Sequence, residues 1–194
     1  MTETESRQHD ADLVRLCLDG DSEAFNALVS CHYRGIYNML YRMIGNAEDA
    51  SDLTQETFLR VYTRLQTFDP TQSFLAWIRR IATNLCIDRL RQRRGPALSL
   101  DQQMESGSEY PDSRPGSSPA DAVEMAEDSR RVLAAVQQLP AKQRAVLVLR
   151  HVEGLKLEEI ARTLRLPLGT VKVLLFRGRQ TVRRIVGELQ GEPT

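Results

Sequence analysis

The chain has 194 residues, of which 41% are hydrophobic and 6% aromatic, and its 26 basic side chains balance 26 acidic ones. That length suits one large domain or two small ones, and no apolar run approaches the ~18 residues of a membrane span. Residues 1–12 are polar and acidic, which excludes a secretory signal, so a cytosolic protein is expected.

The neutral total hides a pattern. Residues 1–95 carry 12 basic and 13 acidic side chains, residues 96–128 one basic and eight acidic, and residues 129–194 13 basic and five acidic. Within the first block, residues 79–94 hold six arginines against the single Asp88. Two basic surfaces separated by an acidic stretch point to more than one charged partner.

In chain order, Asp12 or a neighbour caps a helix over 13–18, and Asp19-Gly20-Asp21 ends it and caps the next. Apolar residues from Ala24 through Leu28, Ile36 and Leu40 to Ile44 then recur at helical spacing until Gly45-Asn46 stops the run. A third helix is predicted from about 48 to 65. Pro70 disfavours a helical Asp69, so 68–72 form a loop, after which Ser73 caps a fourth helix over 74–94. Residues 95–120 contain four Pro, three Gly and six Ser, the composition of a flexible linker. Helices resume near Asp121, with Pro140 at the first position of one and Gly154 ending it. No strand pattern or internal repeat is visible. The predicted fold is all-α: two small helical domains, residues 12–95 and 122–188, joined by a flexible acidic linker over 96–121.

The last of these helices form a helix-turn-helix over about 157–179. Advancing 100° per residue, Val171, Leu174, Leu175, Gly178, Val182, Ile185 and Val186 make one packing stripe, while Lys172, Phe176, Arg179 and Arg183 share the opposite face. Six basic and no acidic residues lie between Arg165 and Arg184, which favours DNA contact over a merely solvated face. Arg165 stands where tight turns of this kind carry Gly, so a longer turn is expected.

Two other stretches carry recognition chemistry. The helix over 74–94 combines its arginines with Trp77, which reads as core, and Asn84, an amide able to bond a base edge. The loop before it offers Phe68 for stacking, with Asp69, Thr71, Gln72 and Ser73 to read an unpaired base. On the third helix Asp49, Asp52, Leu53 and Glu56 share a face that suits a basic protein partner, although the helix dipole alone accounts for Asp49. Cys17, Cys31 and Cys86 are isolated, and adjacent Cys31 and His32 diverge too far on a helix to chelate. Buried free thiols, no metal and no cofactor are expected.

The order Asp52-Leu53-Thr54-Gln55-Glu56-Thr57-Phe58-Leu59-Arg60-Val61-Tyr62, then residues 74–84, then Leu139-Pro140-Ala141-Lys142-Gln143-Arg144, then Glu159-Ile160-Ala161 and Gly169-Thr170-Val171-Lys172, closely resembles the extracytoplasmic-function (group IV) sigma factors of bacteria. The resemblance implies binding to core RNA polymerase, its beta-prime clamp and its beta subunit, through Asp49, Asp52, Leu53, Gln55, Glu56 and Leu59. It implies recognition of the promoter −10 element by Phe68, Asp69, Ser73, Arg80, Asn84 and Arg91, and of the −35 element by Thr170, Lys172, Phe176, Arg177 and Arg179. It further implies a cytoplasmic, nucleoid-associated protein without enzymatic activity, which an anti-sigma partner can sequester at the membrane. Val173-Leu174 departs from the Ser-Arg common in the family, so an altered or weaker −35 preference is expected.

Two other functions compete. A stand-alone helix-turn-helix regulator leaves the arginine helix, the acidic face and the acidic linker unexplained. A recombinase needs an α/β catalytic domain or a nucleophilic Tyr set among basic residues, and neither pattern is present.

Overall fold

Capping residues bound the second helix and start the third and fourth in the computed structural model, which describes residues 3–94 and 130–190. Helix α1 is Glu3–Leu18, α2 Ser22–Ile44, α3 Ala47–Arg64 and α4 Phe74–Arg94, with a 3-10 turn at Leu65–Thr67. Asp21 caps α2 by accepting from the N–H groups of Glu23 and Ala24, and Gly45 ends it at φ 78°, a backbone conformation that glycine adopts without strain. The Asn46 side chain caps α3, and Ser73 Oγ accepts from Ala76 N–H at the start of α4.

Helix α1 begins about ten residues earlier than predicted. Its polar first half is held by Asp10, which is 4% exposed and lies 2.8 Å from His32 Nε2 on α2. That partner is 22 residues away, beyond the reach of local pattern. The core then forms on α2 through Leu28, Ile36, Met39, Leu40 and Met43, with Leu53 and Val61 of α3 and Ile78 and Ala82 of α4. The helical spacing of these residues is what lets each helix bury one stripe.

The second half contains α5 over 130–138, α6 (Ala141–His151), α7 (Leu157–Leu164) and α8 (Leu168–Gln190). Pro140 stands one position earlier than predicted, as the residue before the first helical one. Leu139, Ala145, Val146, Leu149, Ile160, Val171 and Leu175 make its core. Helix α6 also packs on α2 and α4, and α7 on α4, so the apolar cluster continues from one half into the other. No strand occurs among the described residues, and the fold is all-α. The linker predicted over 96–121, and the start of the domain predicted from 122, lie outside the described residues.

The expectation of three buried thiols needs correction. Cys86 is buried, and that burial pushes its pKa up to about 12, but Cys31 is exposed and Cys17 half-buried. Cys31 points outward because its neighbour His32 takes the inward position on α2. Among the described residues no helix is long and apolar enough to cross a membrane, and no cluster of His, Cys, Asp or Glu is placed to hold a metal ion.

Candidate nucleic-acid interface

Helix α7 starts with Glu159 accepting from the Lys156 N–H at 2.7 Å, and ends at Arg165. Three residues, Arg165 to Pro167, connect it to α8, so the turn is tight rather than long. Arg165 sits at φ 52° and ψ 48°, the left-handed conformation, and its N–H bonds back to the Ala161 and Arg162 carbonyls. An arginine carries here what a glycine would carry without strain.

On α8 the stripe predicted to pack does so: Val171, Leu175, Gly178 and Ile185 are buried and Leu174, Val182 and Val186 half-buried. A Cβ on Gly178 would lie 2.9 Å from Leu147 Cδ1, so glycine is what lets α6 and α8 approach at this point. Thr170, Lys172, Phe176, Arg177 and Arg179 are all exposed, Phe176 to 62%. Val173 joins them at 49% exposure, an apolar group on the cationic face. Arg179 rests against His151 Nε2 at 3.2 Å from its Nε. Burial first, then the charges of Arg179 and Arg150, hold His151 below its ordinary pKa and so favour the neutral ring.

Helix α4 divides its arginines. Arg93 places Nη2 2.5 and 2.6 Å from the two Asp49 carboxylate oxygens, Arg89 approaches the same carboxylate at 3.6 Å, and Arg79 bonds Glu153 at 2.7 Å. Arg80, Asn84, Asp88 and Arg91 fall within about 80° on the helical wheel. All four are at least partly exposed, and together they form a narrow polar strip. Asn84 is therefore a surface amide and not an awkward core residue.

The loop ahead of α4 is braced from below. Phe68 is 7% exposed, its ring 5.7 Å from that of Phe74 and 5.1 Å from that of Trp77. Phe68 thus supports the loop and has no free face on which a base could stack, which corrects the stacking role expected of it. Asp69 accepts from the Thr71 hydroxyl, the Thr71 N–H and the Gln72 amide, bonds that hold its carboxyl below the ordinary range. Together they form an exposed, charged turn, with half-buried Ser73 capping the helix behind it.

On α3 the exposed stripe is rotated from the one predicted. Leu53 is 1% exposed and belongs to the core, and Asp49 is 9% exposed and engaged by Arg93 and Arg89. Asp52, Gln55 and Leu59 are exposed, and Glu56, half-buried, pairs with Arg60 at 2.6 Å. Tyr62, part of the motif block but assigned no contact from sequence, extends this face at 62% exposure, its ring edge-on to Phe25 at 5.0 Å. Two acids beside two large exposed apolar side chains make a surface for protein, not for a phosphate backbone.

A helix-turn-helix with an outward cationic face, on a chain that carries a second arginine-bearing helix, defines a DNA-binding protein with more than one contact surface. Comparison with known proteins narrows this. The Sigma-70 region 2 family matches residues 28–95, and the Sigma-70 region 4 family residues 129–182. The chain is 39% identical to the ECF RNA polymerase sigma factor SigW of Bacillus subtilis over 88% of this chain and 92% of that protein. It is 40% identical to the ECF RNA polymerase sigma factor SigE of Mycolicibacterium smegmatis over 89% of this chain and 66% of that protein. Its fold is similar to that of a sigma factor RpoE solved in complex with the anti-sigma factor NepR from Bartonella quintana, with a TM-score of 0.64 at 20% identity over 84% of this chain and 96% of that one. The chain belongs to the ECF RNA polymerase sigma factors. It is an alternative sigma factor, directing transcription from specific promoters.

Proposed function

We propose that three exposed surfaces divide the work of initiation. Asp52, Gln55, Glu56 and Leu59 of α3, extended by Tyr62, dock on core RNA polymerase at its beta-prime clamp, while Asp49 and Leu53 hold that helix in place from inside. The loop at Asp69 to Ser73 and the strip of Arg80, Asn84 and Arg91 receive the −10 element as a separated strand. Thr170, Lys172, Phe176, Arg177 and Arg179 read the −35 element as duplex. In this reading residues 12–95 and 122–188 are the two functional domains, and 96–121 links them along the polymerase, where its acidic side chains suit a channel that holds nucleic acid and contacts to the beta subunit add to the clamp. The protein acts in the cytoplasm by binding and carries out no chemistry of its own.

The observation that supports this reading best is the separation of character. An acidic, apolar surface, a polar strip of mixed charge around Asn84 and a cationic helix face stand on three different helices, matched to protein, unpaired strand and duplex respectively. The solved relative bound to an anti-sigma factor supports an analogous inhibitor for this chain.

The test is Asp52→Arg combined with Glu56→Arg. Like-charge contacts at an interface cost several kcal/mol, so binding to core polymerase should fall by about a hundredfold or more while the chain still melts cooperatively, its Tm lower only by the small cost of losing the partly exposed Glu56–Arg60 pair. Unaltered polymerase binding would remove α3 from the interface.

A further inference from the structure

We propose that Asp10 and His32 are positioning residues for promoter recognition: their buried pair fixes the His32 ring, and through Phe74 that ring sets the turn from Asp69 to Ser73 that selects bases. The last step rests on the assignment of this turn to the −10 element.

Each residue stands where its helix should bury a hydrocarbon. On α2 the inward stripe runs through Leu28, His32, Ile36 and Leu40 at four-residue spacing, all of them buried. On α1, Asp10 and Val14 share the inward stripe at the same spacing, 4% and 1% exposed. His32 Nε2 donates to Asp10 Oδ1 at 2.8 Å, and less than a tenth of either side chain meets solvent. Two apolar side chains of the same shape would stabilise the core as well or better. What the pair adds is direction, because an apolar ring packs in several orientations and a hydrogen bond of this length selects one.

The ring so held belongs to the support of the turn. It lies 5.5 Å from the ring of Phe74, with 49° between the planes. Phe74 meets Phe68 edge-on at 5.7 Å, and Trp77 closes the group at 5.1 Å from Phe68 and 6.0 Å from Phe74. All four spacings are those of aromatic pairs in contact. Phe68 and Phe74, 7% and 2% exposed, flank the turn directly. Within the turn Asp69 accepts from Thr71 and Gln72, bonds that stiffen it as a unit, so its attitude follows from the two rings at its ends. Helix α1 also packs on α4 and on the 3-10 turn at Leu65–Thr67, the elements on either side of it.

The polar first half of α1 thereby acquires a purpose. Without the Asp10 carboxylate the His32 ring can turn, Phe74 loses a fixed neighbour, and the turn is free to shift. In a site that works by orientation a misplacement of about 1 Å can cost ~10²-fold.

The test uses the full chain in four forms: wild type, Asp10→Ala, Asp10→Asn, and Asp10→Leu combined with His32→Phe. Asparagine keeps an acceptor for His32, and the double variant replaces the pair with hydrocarbon, so that its melting temperature should match or exceed that of wild type. Each form is bound to core polymerase and titrated with single strands carrying each of the four bases in turn at every −10 position of one promoter mapped from its transcripts. Asp10→Ala and the double variant should lose about five- to tenfold of the preference for the best base, a partial loosening of the site. Affinity for core polymerase and for −35 duplex should not change, and Asp10→Asn should keep the preference. Trp77, the sole tryptophan, gives a second readout in the free chain. Acrylamide should quench its emission more readily in Asp10→Ala and the double variant than in the other two forms. Undiminished preference in a double variant that melts like wild type overturns the proposal, as does a loss in Asp10→Asn equal to that in Asp10→Ala. Equal quenching in all four forms overturns the link from the pair to the ring cluster. No base preference in wild type overturns the −10 assignment, and the Trp77 result still decides whether the pair holds the cluster.

Discussion

Helix α4 and helix α8 are both rich in arginine, and the comparison between them shows how little a count of charges says about a surface. In α4, Arg89 and Arg93 close on Asp49 and Arg79 on Glu153, which leaves Arg80 and Arg91 to flank Asn84 on an open strip. In α8, Lys172, Phe176 and Arg177 face solvent directly, and Arg179 lies against the ring of His151. Much of the α4 charge thus fixes the fold, whereas the α8 charge is available for phosphates. A strip with one amide, two cations and the carboxylate of Asp88 beside an aromatic-braced loop suits a strand already parted. A cationic helix behind a tight turn suits the major groove of a duplex.

The largest effect that could break this contrast comes from α8. Arg177→Ala should cost about 1–3 kcal/mol of −35 discrimination if the side chain reads a base, or lower the salt slope of promoter binding by about 1 if it holds a phosphate. Promoter binding with neither change would show that α8 is not the reader. On the N-terminal side, Asp49→Asn should lower stability by about 1–2 kcal/mol, a value discounted because Arg93 is half exposed, while affinity for core polymerase stays the same. If polymerase affinity fell at unchanged melting temperature, Asp49 would belong to the interface after all. A smaller effect of opposite sign is expected in the turn. Arg165→Gly relieves the left-handed backbone and should stabilise by about 1 kcal/mol, raising Tm by about 2–4 °C. The smallest concerns His151, whose pKa is held below the ordinary 6.5. Because the folded state binds that proton less readily than the unfolded chain, the stability it contributes is complete above that value and is lost as pH falls below it. The melting temperature of wild type should therefore drop more steeply between about pH 7 and 5 than that of His151→Gln. Parallel curves would contradict the shift.

Local grammar was legible. Asp21 and Gly45 at the ends of α2, Ser73 before α4, and the buried stripe of α8 all follow from residue type and 100° spacing. What the sequence concealed was pairing at a distance. The face drawn through Asp49, Asp52, Leu53 and Glu56 is a true helical face, but no periodicity says which edge of it turns inward. Arg93, 44 residues on, draws Asp49 in, and the exposed stripe moves round to Leu59 and Tyr62. Phe68 looked like a stacking platform because it adjoins a polar loop, and the ring cluster that claims it forms only when α4 folds back. Arg165 shows the remaining limit: a tight turn held by backbone bonds and flanking packing imposes a conformation that residue preference argues against.

The most direct test of the account is transcription of source-genome DNA by core RNA polymerase with and without this chain, with 5′ ends mapped. New discrete starts that share a bipartite motif near −10 and −35 are the predicted result, with the −35 half losing influence in Arg177→Ala. A folded chain that adds no starts, yet binds duplex DNA alone, would contradict the assignment of its other two surfaces.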